Sequence, residues 1–85
     1  MEEQGGQDMI SATVLKEKRR CLRLTQKQVA ERARISLQQY QKLESGSRSI
    51  MSCAFRLACR VIEALNMDVS MFYHGEYDAS IPPIA

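Results

Sequence analysis

His74 is the only histidine in the chain. A single imidazole, with no nucleophile at a recognisable spacing, does not assemble an acid–base or nucleophilic site, and no glycine-rich phosphate loop stands in for one. Cys21, Cys53 and Cys59 form no Cys-x-x-Cys pair and have no nearby histidine. Zinc binding and a disulfide framework are therefore not expected, and an odd count with no evident signal peptide fits reduced thiols in the cytoplasm. Proline and glycine are scarce away from the two ends. No apolar run approaches the roughly 20 residues that a membrane helix needs. Together these gaps exclude an enzyme, a metal site and a membrane span from the expected functions, and they suggest no cofactor.

Acidic residues are also scarce in the middle of the chain. All twelve Lys and Arg lie in residues 16–60, where only Glu17, Glu31 and Glu44 oppose them; twelve less three leaves that segment at +9. The ends are acidic, at −3 over residues 1–15 and −4 over residues 61–85, so the net charge is only +2. A basic body between acidic ends is the footprint of a polyanion binder, although Lys/Arg-rich helix faces also serve solubility alone. With 85 residues, of which 45% are apolar, the chain suits one small globular domain. A domain of this size buries only about two-thirds of its unfolded surface, so a second copy would help to stabilise it.

The strongest local signal lies in residues 25–46. Thr25 is followed three residues on by Gln28, and Ser36 three residues on by Gln39, which gives two capping-box starts eleven residues apart. Each box satisfies two of the free N–H groups that open a helix. The spacing predicts a two-turn helix from Thr25 to about Ala33, a turn at Ala33-Arg34-Ile35, and a further helix from Ser36 to about Ser45 stopped by Gly46. That is a helix-turn-helix.

Around this unit, residues 1–8 read as a loose arm. A first helix spans about Met9 to Leu22, with Ile10, Val14, Leu15, Cys21 and Leu22 inward. In helix two Val29 and Ala30 point inward, and in helix three Tyr40 and Leu43 do. A fourth helix is expected over about 53–65, capped by Ser52, with Phe55, Ala58, Val61, Ile62 and Leu65 as its apolar stripe. Asn66 is placed to end it in a left-handed conformation. A short fifth helix covers about 69–74, capped by Asp68 and packed through Val69, Phe72 and Tyr73. Residues 76–85 contain a Pro-Pro pair and cannot continue a helix; an extended or disordered tail is expected there.

With these residues in place, the chain resembles the Cro/phage-repressor helix-turn-helix family, often called Xre-type. The resemblance rests on Leu24, Thr25-Gln26, Ala30, Ile35-Ser36 and Leu43-Glu44-Ser45-Gly46, and further on ALNMDVSMFYHG at 64–75. It implies an all-α fold, a compact five-helix domain of the lambda-repressor-like type over residues 9–75, with the helix-turn-helix at helices two and three. It also implies double-stranded DNA as partner and a homodimer. By position, Gln26 matches a phosphate-binding glutamine, and Ser36, Leu37, Gln38 and Lys42 match residues that meet base edges, with Gln41 their neighbour. Arg48 matches a phosphate contact, and Arg19 and Glu44 match an internal ion pair between helices one and three. Departures are also visible. Arg23 and Arg34 stand where glycines are usual, the link between helices three and four is about three residues longer than usual, and Ile62 replaces a common alanine.

Tyr40 is read as core rather than a base-stacking platform, His74 as a surface residue, and Met51, Met67 and Met71 as core or dimer filler. Lys16, Lys18 and Arg20 fit phosphate contact and a solvated face equally. The expected function is a sequence-specific DNA-binding transcriptional regulator, a small bacterial or phage-type repressor with no small-molecule effector evident. The alternative is a protein-interaction module of the same fold, such as an antitoxin or adaptor.

Overall fold

Two capping boxes divide the centre of the chain. Thr25 Oγ1 accepts from Gln28 N at 3.0 Å while Gln28 Oε1 accepts from Thr25 N at 2.8 Å. Ser36 and Gln39 repeat the arrangement at 3.1 and 2.9 Å. The computed structural model describes residues 9–77. Its helices are α1 Met9–Cys21, α2 Gln26–Ala33, α3 Leu37–Ser45, α4 Phe55–Ala64 and α5 Val69–Tyr73, with a 3₁₀ turn at Ile50–Ser52. Among the described residues there is no strand, and the fold is all-α. The expected arm at 1–8 lies outside the described residues, as does all of the expected tail at 76–85 except Glu76 and Tyr77.

The helices pack in a chain of neighbours. α2 lies against both α3 and α4, α1 against α3, and α5 against α4. Their inner faces meet in one core that includes Leu15, Val29, Ala33, Tyr40, Leu43, Val61 and Leu65. Each fully buried Leu or Val contributes about 1.5–3 kcal/mol by leaving water, which gives a domain this small its stability.

Three helices end in the same way. Arg23, Arg34 and Asn66 take φ of 58°, 62° and 59°. The next residue in each case sends its N–H back five residues: Leu24 to Arg19 O, Ile35 to Ala30 O, and Met67 to Ile62 O, at 3.0–3.1 Å. Leu24, Ile35 and Met67 then pack on or in the core. The left-handed conformation costs a non-glycine residue roughly 1–2 kcal/mol. Here the closing hydrogen bond and the apolar contact of this helix-ending motif offset it. The turns therefore keep the glycine-type backbone although arginine occupies it.

Several expectations about packing need correction. Ile10 is 74% exposed, and Cys21 is exposed as well. The buried residues of α1 are Ala12, Val14 and Leu15, in the middle of the helix, while Ile10 stands in its first turn and Cys21 is its last residue. α4 starts at Phe55 behind Ala54, which makes no side-chain cap. Ser52 belongs instead to the 3₁₀ turn, where its hydroxyl donates to Ser49 O at 2.9 Å. Phe55, at the very start of α4, is 75% exposed rather than core, and Leu57 packs on the core in its place. Tyr73 is 70% exposed and lies edge-on against His74, while Phe72 is the buried residue of α5. Of the three methionines read as filler, Met67 is buried and Met51 and Met71 are exposed.

Candidate nucleic-acid interface

The outer side of α3 is polar and open. Gln38, Gln41, Lys42 and Ser45 line a shallow depression of about 330 Å³ along it. Leu37, the first residue of the helix, is exposed beside Gln38. The opposite side of the same helix carries the buried residues Tyr40, Leu43 and Glu44. One short helix thus has a fixed inner face and a free outer one.

Glu44 does the fixing. Its carboxylate is almost wholly buried, yet it is bonded on both oxygens. Arg19 Nε donates to Oε2 at 2.7 Å, and Arg19 Nη2 donates to Oε1 at 3.1 Å. Gln26 Nε2 adds a third bond, to Oε1 at 2.9 Å. Arg19 Nη1 also donates to Leu24 O at 2.9 Å. α1, the start of α2 and α3 are thereby tied at one point. A bidentate guanidinium–carboxylate pair holds geometry as well as charge. Burial pushes the Glu44 carboxyl upward, but Arg19 first, then the nearby Tyr40 hydroxyl and Gln26, outweigh it and hold the group below the usual carboxylate range. The bond to Glu44 likewise raises the Arg19 guanidinium above its ordinary value.

Tyr40 lies next to this pair. Its ring is fully buried, and burial pushes its phenol far above the ordinary range. Glu44 and Arg19 are close enough to act on its titration, but its hydroxyl meets no partner among the described residues in hydrogen-bonding geometry. Tyr40 is a core residue with one unmade bond.

The end of α3 explains the longer connection to α4. Lys42 O accepts from Ser45 Oγ at 3.2 Å, from Ser47 Oγ at 3.3 Å and from Arg48 N at 3.1 Å. Gly46 takes φ of 83°, and the Met9 side chain of α1 occupies the space that a side chain at residue 46 would need. Ser49 then caps the 3₁₀ turn through Met51 N at 3.1 Å. The extra residues form this serine-rich turn, and Arg48 stays exposed just beyond α3.

The family model described as helix-turn-helix matches residues 15–52. Over this segment the chain is similar to the Cro/C1-type, Xre-like helix-turn-helix, and the five-helix arrangement is consistent with a lambda-repressor-like fold. No curated protein and no solved structure matches the chain. The helix-turn-helix match runs from α1 to the 3₁₀ turn and leaves α4 and α5 outside it. The family is a DNA-binding one, so DNA is the class of ligand for which this surface is read.

In the helix-turn-helix, Leu37, Gln38, Gln41 and Lys42 come together on the outer side of α3. Ser36 stands at its start with its hydroxyl engaged as the cap. Gln26 is partly buried and engaged with Glu44, so it is not a free side chain at the start of α2. Gln41 Nε2 donates to Gln26 Oε1 at 3.3 Å, which links two residues that the sequence motif treats separately.

The basic segment divides into two kinds of cation. Arg32 Nη1 donates to Ala64 O at 3.2 Å, at the end of α4. Arg60 Nε donates to Ala33 O at 2.9 Å, at the end of α2. Guanidiniums at helix C-termini satisfy carbonyls that have no partner in the helix and complement the helix dipole. With Arg19, three of the twelve cations therefore serve the fold. Lys18 lies over the Tyr77 ring at 5.8 Å, and Tyr77 Oη accepts from Asp68 N at 3.0 Å. Sequence spacing carries no signal for Arg60 and Ala33, which are 27 residues apart. Arg32 does have a local hint, since it is a basic residue in the last turn of α2.

No helix among the described residues is long and apolar enough to cross a membrane.

Proposed function

We propose that the protein is a sequence-specific DNA-binding transcriptional regulator that lays α3 in the major groove. The observation that carries this reading is the pairing of an open polar face on α3 with a buried ion pair that fixes the helix from behind. Leu37, Gln38, Gln41 and Lys42 are the base-reading candidates, and Ser36 opens their helix. Glutamine matches adenine, lysine matches guanine and leucine matches the thymine methyl group. The backbone N–H groups that open α2, the remaining N–H of Gln26, and Arg48 are the phosphate contacts. Two copies bind half-sites about one helical turn apart, as a repressor working in the cytoplasm.

A salt-titrated binding assay on random duplexes tests the reading. Each phosphate neutralised lowers log K by about 0.9 per decade of salt. The expected result is tight, salt-dependent binding with a preferred sequence on top of it. Absence of binding at low salt would refute it.

A second reading, a protein-interaction module such as an antitoxin or adaptor, draws on the exposed Ile10, Phe55 and Tyr73. Co-purification of a stoichiometric protein partner without DNA affinity would favour it.

A further inference from the structure

Glu44, Gln26 and Gln41 form a hydrogen-bonded row from the core to the open face of α3. Glu44 Oε1 accepts from Gln26 Nε2 at 2.9 Å, and Gln26 Oε1 accepts from Gln41 Nε2 at 3.3 Å. The direction of this row is dictated by its inner end. An ionised carboxylate has no hydrogen to give, so the Gln26 amide must turn its nitrogen toward Glu44. Its oxygen then faces Gln41, and only the nitrogen of Gln41 can bond to it. A glutamine amide on an open surface is otherwise free to present either end. Here the choice at residue 41 is made by a charge two residues removed in the row, itself clamped by Arg19.

We propose that Gln41 is a specificity-determining residue for adenine, with Gln26 and Glu44 as the positioning residues that set the polarity of its amide. With one N–H committed to Gln26, Gln41 keeps its Oε1 and one N–H for the groove it shares with Gln38, Lys42 and Ser45. An acceptor beside a donor complements the N6 amino group and N7 of adenine. Gln26 thereby acquires a second task beyond phosphate contact: without it, the amide of Gln41 loses its preferred orientation. This inference rests on the DNA-reading assignment of α3 and adds which residue discriminates, for which base, and through what support.

The test uses the full chain and its preferred duplex, with each base pair replaced in turn and Kd measured by fluorescence anisotropy at fixed salt. The wild-type protein is expected to discriminate against loss of adenine at one base pair by about tenfold or more. Gln41→Ala is expected to bring that ratio close to one and leave the other positions unchanged. Gln26→Ala is expected to erase discrimination at the same base pair, and the double variant to lose nothing further there. A merely structural role for Gln26 would weaken every duplex alike and leave the ratio standing. Gln41 is exposed, so Gln41→Ala keeps the fold. Gln26→Met, which keeps the stem and removes the amide, replaces Gln26→Ala if that variant melts below the assay temperature. Losses that fall at different base pairs, or that add in the double variant, would overturn the proposal while leaving DNA reading intact. A wild-type protein without any preferred duplex would overturn both.

Discussion

Replacing Glu44 by alanine removes the one acceptor at which α1, α2 and α3 are joined. Three hydrogen bonds disappear, two from Arg19 and one from Gln26. The Arg19 side chain is only 16% exposed and retains just its bond to Leu24 O, so a charge is left largely buried and unpaired. Breaking a buried pair from one side costs about 3–5 kcal/mol. The residual exposure of Arg19 and its bond to Leu24 place this case near about 3 kcal/mol. At about 0.05–0.15 kcal/mol per residue, a domain of this length has a total stability of only about 4–13 kcal/mol. The variant should therefore lose a quarter or more of its stability. Its Tm should fall by about 12–24 °C, at about 4–8 °C per kcal/mol. Urea unfolding followed by far-UV circular dichroism measures this directly, and the m-value should not change. The double variant Arg19→Met, Glu44→Leu removes both charges and should recover most of the loss, because apolar replacement of a buried pair is often neutral or better. A loss below about 0.5 kcal/mol in Glu44→Ala, which is the range of an ordinary surface change, would refute the reasoning.

The same group governs acid sensitivity. The folded Glu44 carboxyl titrates below its unfolded value, so in that window the unfolded chain binds more protons and stability rises with pH. Its contribution is complete above the ordinary glutamate value of about 4.3 and is lost as pH falls through the folded value. The stability difference between wild type and Glu44→Gln, from urea melts between neutral pH and pH 3, should therefore be constant above that value and shrink below it; a difference that grows on acidification would contradict the sign. Tyr40→Phe removes a buried hydroxyl with no bonded partner, so it should be neutral or stabilise by up to about 1 kcal/mol; a loss above that in a thermal melt would mean that the hydroxyl is bonded. Arg48→Ala should weaken binding to all duplexes alike and reduce the salt slope by about one, whereas a change in base preference would remove Arg48 from the phosphate contacts.

The features that a short stretch of chain controls were legible before any coordinates. The paired caps at Thr25/Gln28 and Ser36/Gln39, the stop at Gly46 and the inward Tyr40 and Leu43 all depend on residues within one helix and its ends. The Arg19–Glu44 pair spans 25 residues and came into view only through family resemblance, since no spacing rule connects them. Helix-face readings failed where a single apolar residue was assumed to face inward. Ile10 stands in the first turn of α1, ahead of the buried Ala12, Val14 and Leu15, and Phe55 begins α4 before the helix reaches the core. The count of +9 treats all twelve cations alike, whereas Arg32 and Arg60, though exposed, bond to helix ends that only folding brings near. At Arg34 a glycine rule gave way to a fuller one, because the left-handed residue is supported by the Ile35 N–H and its packing. The bond between Gln26 and Gln41 is of the same long-range kind and was not legible at all.

Selection of binding sites from a pool of random duplexes tests the central claim most directly. The account predicts enrichment of a two-fold related sequence with half-sites about one helical turn apart. It also predicts that Gln38→Ala relaxes one position of each half-site and leaves the spacing unchanged. Failure to enrich any sequence at low salt, or a selected sequence indifferent to substitutions along the outer face of α3, would contradict it.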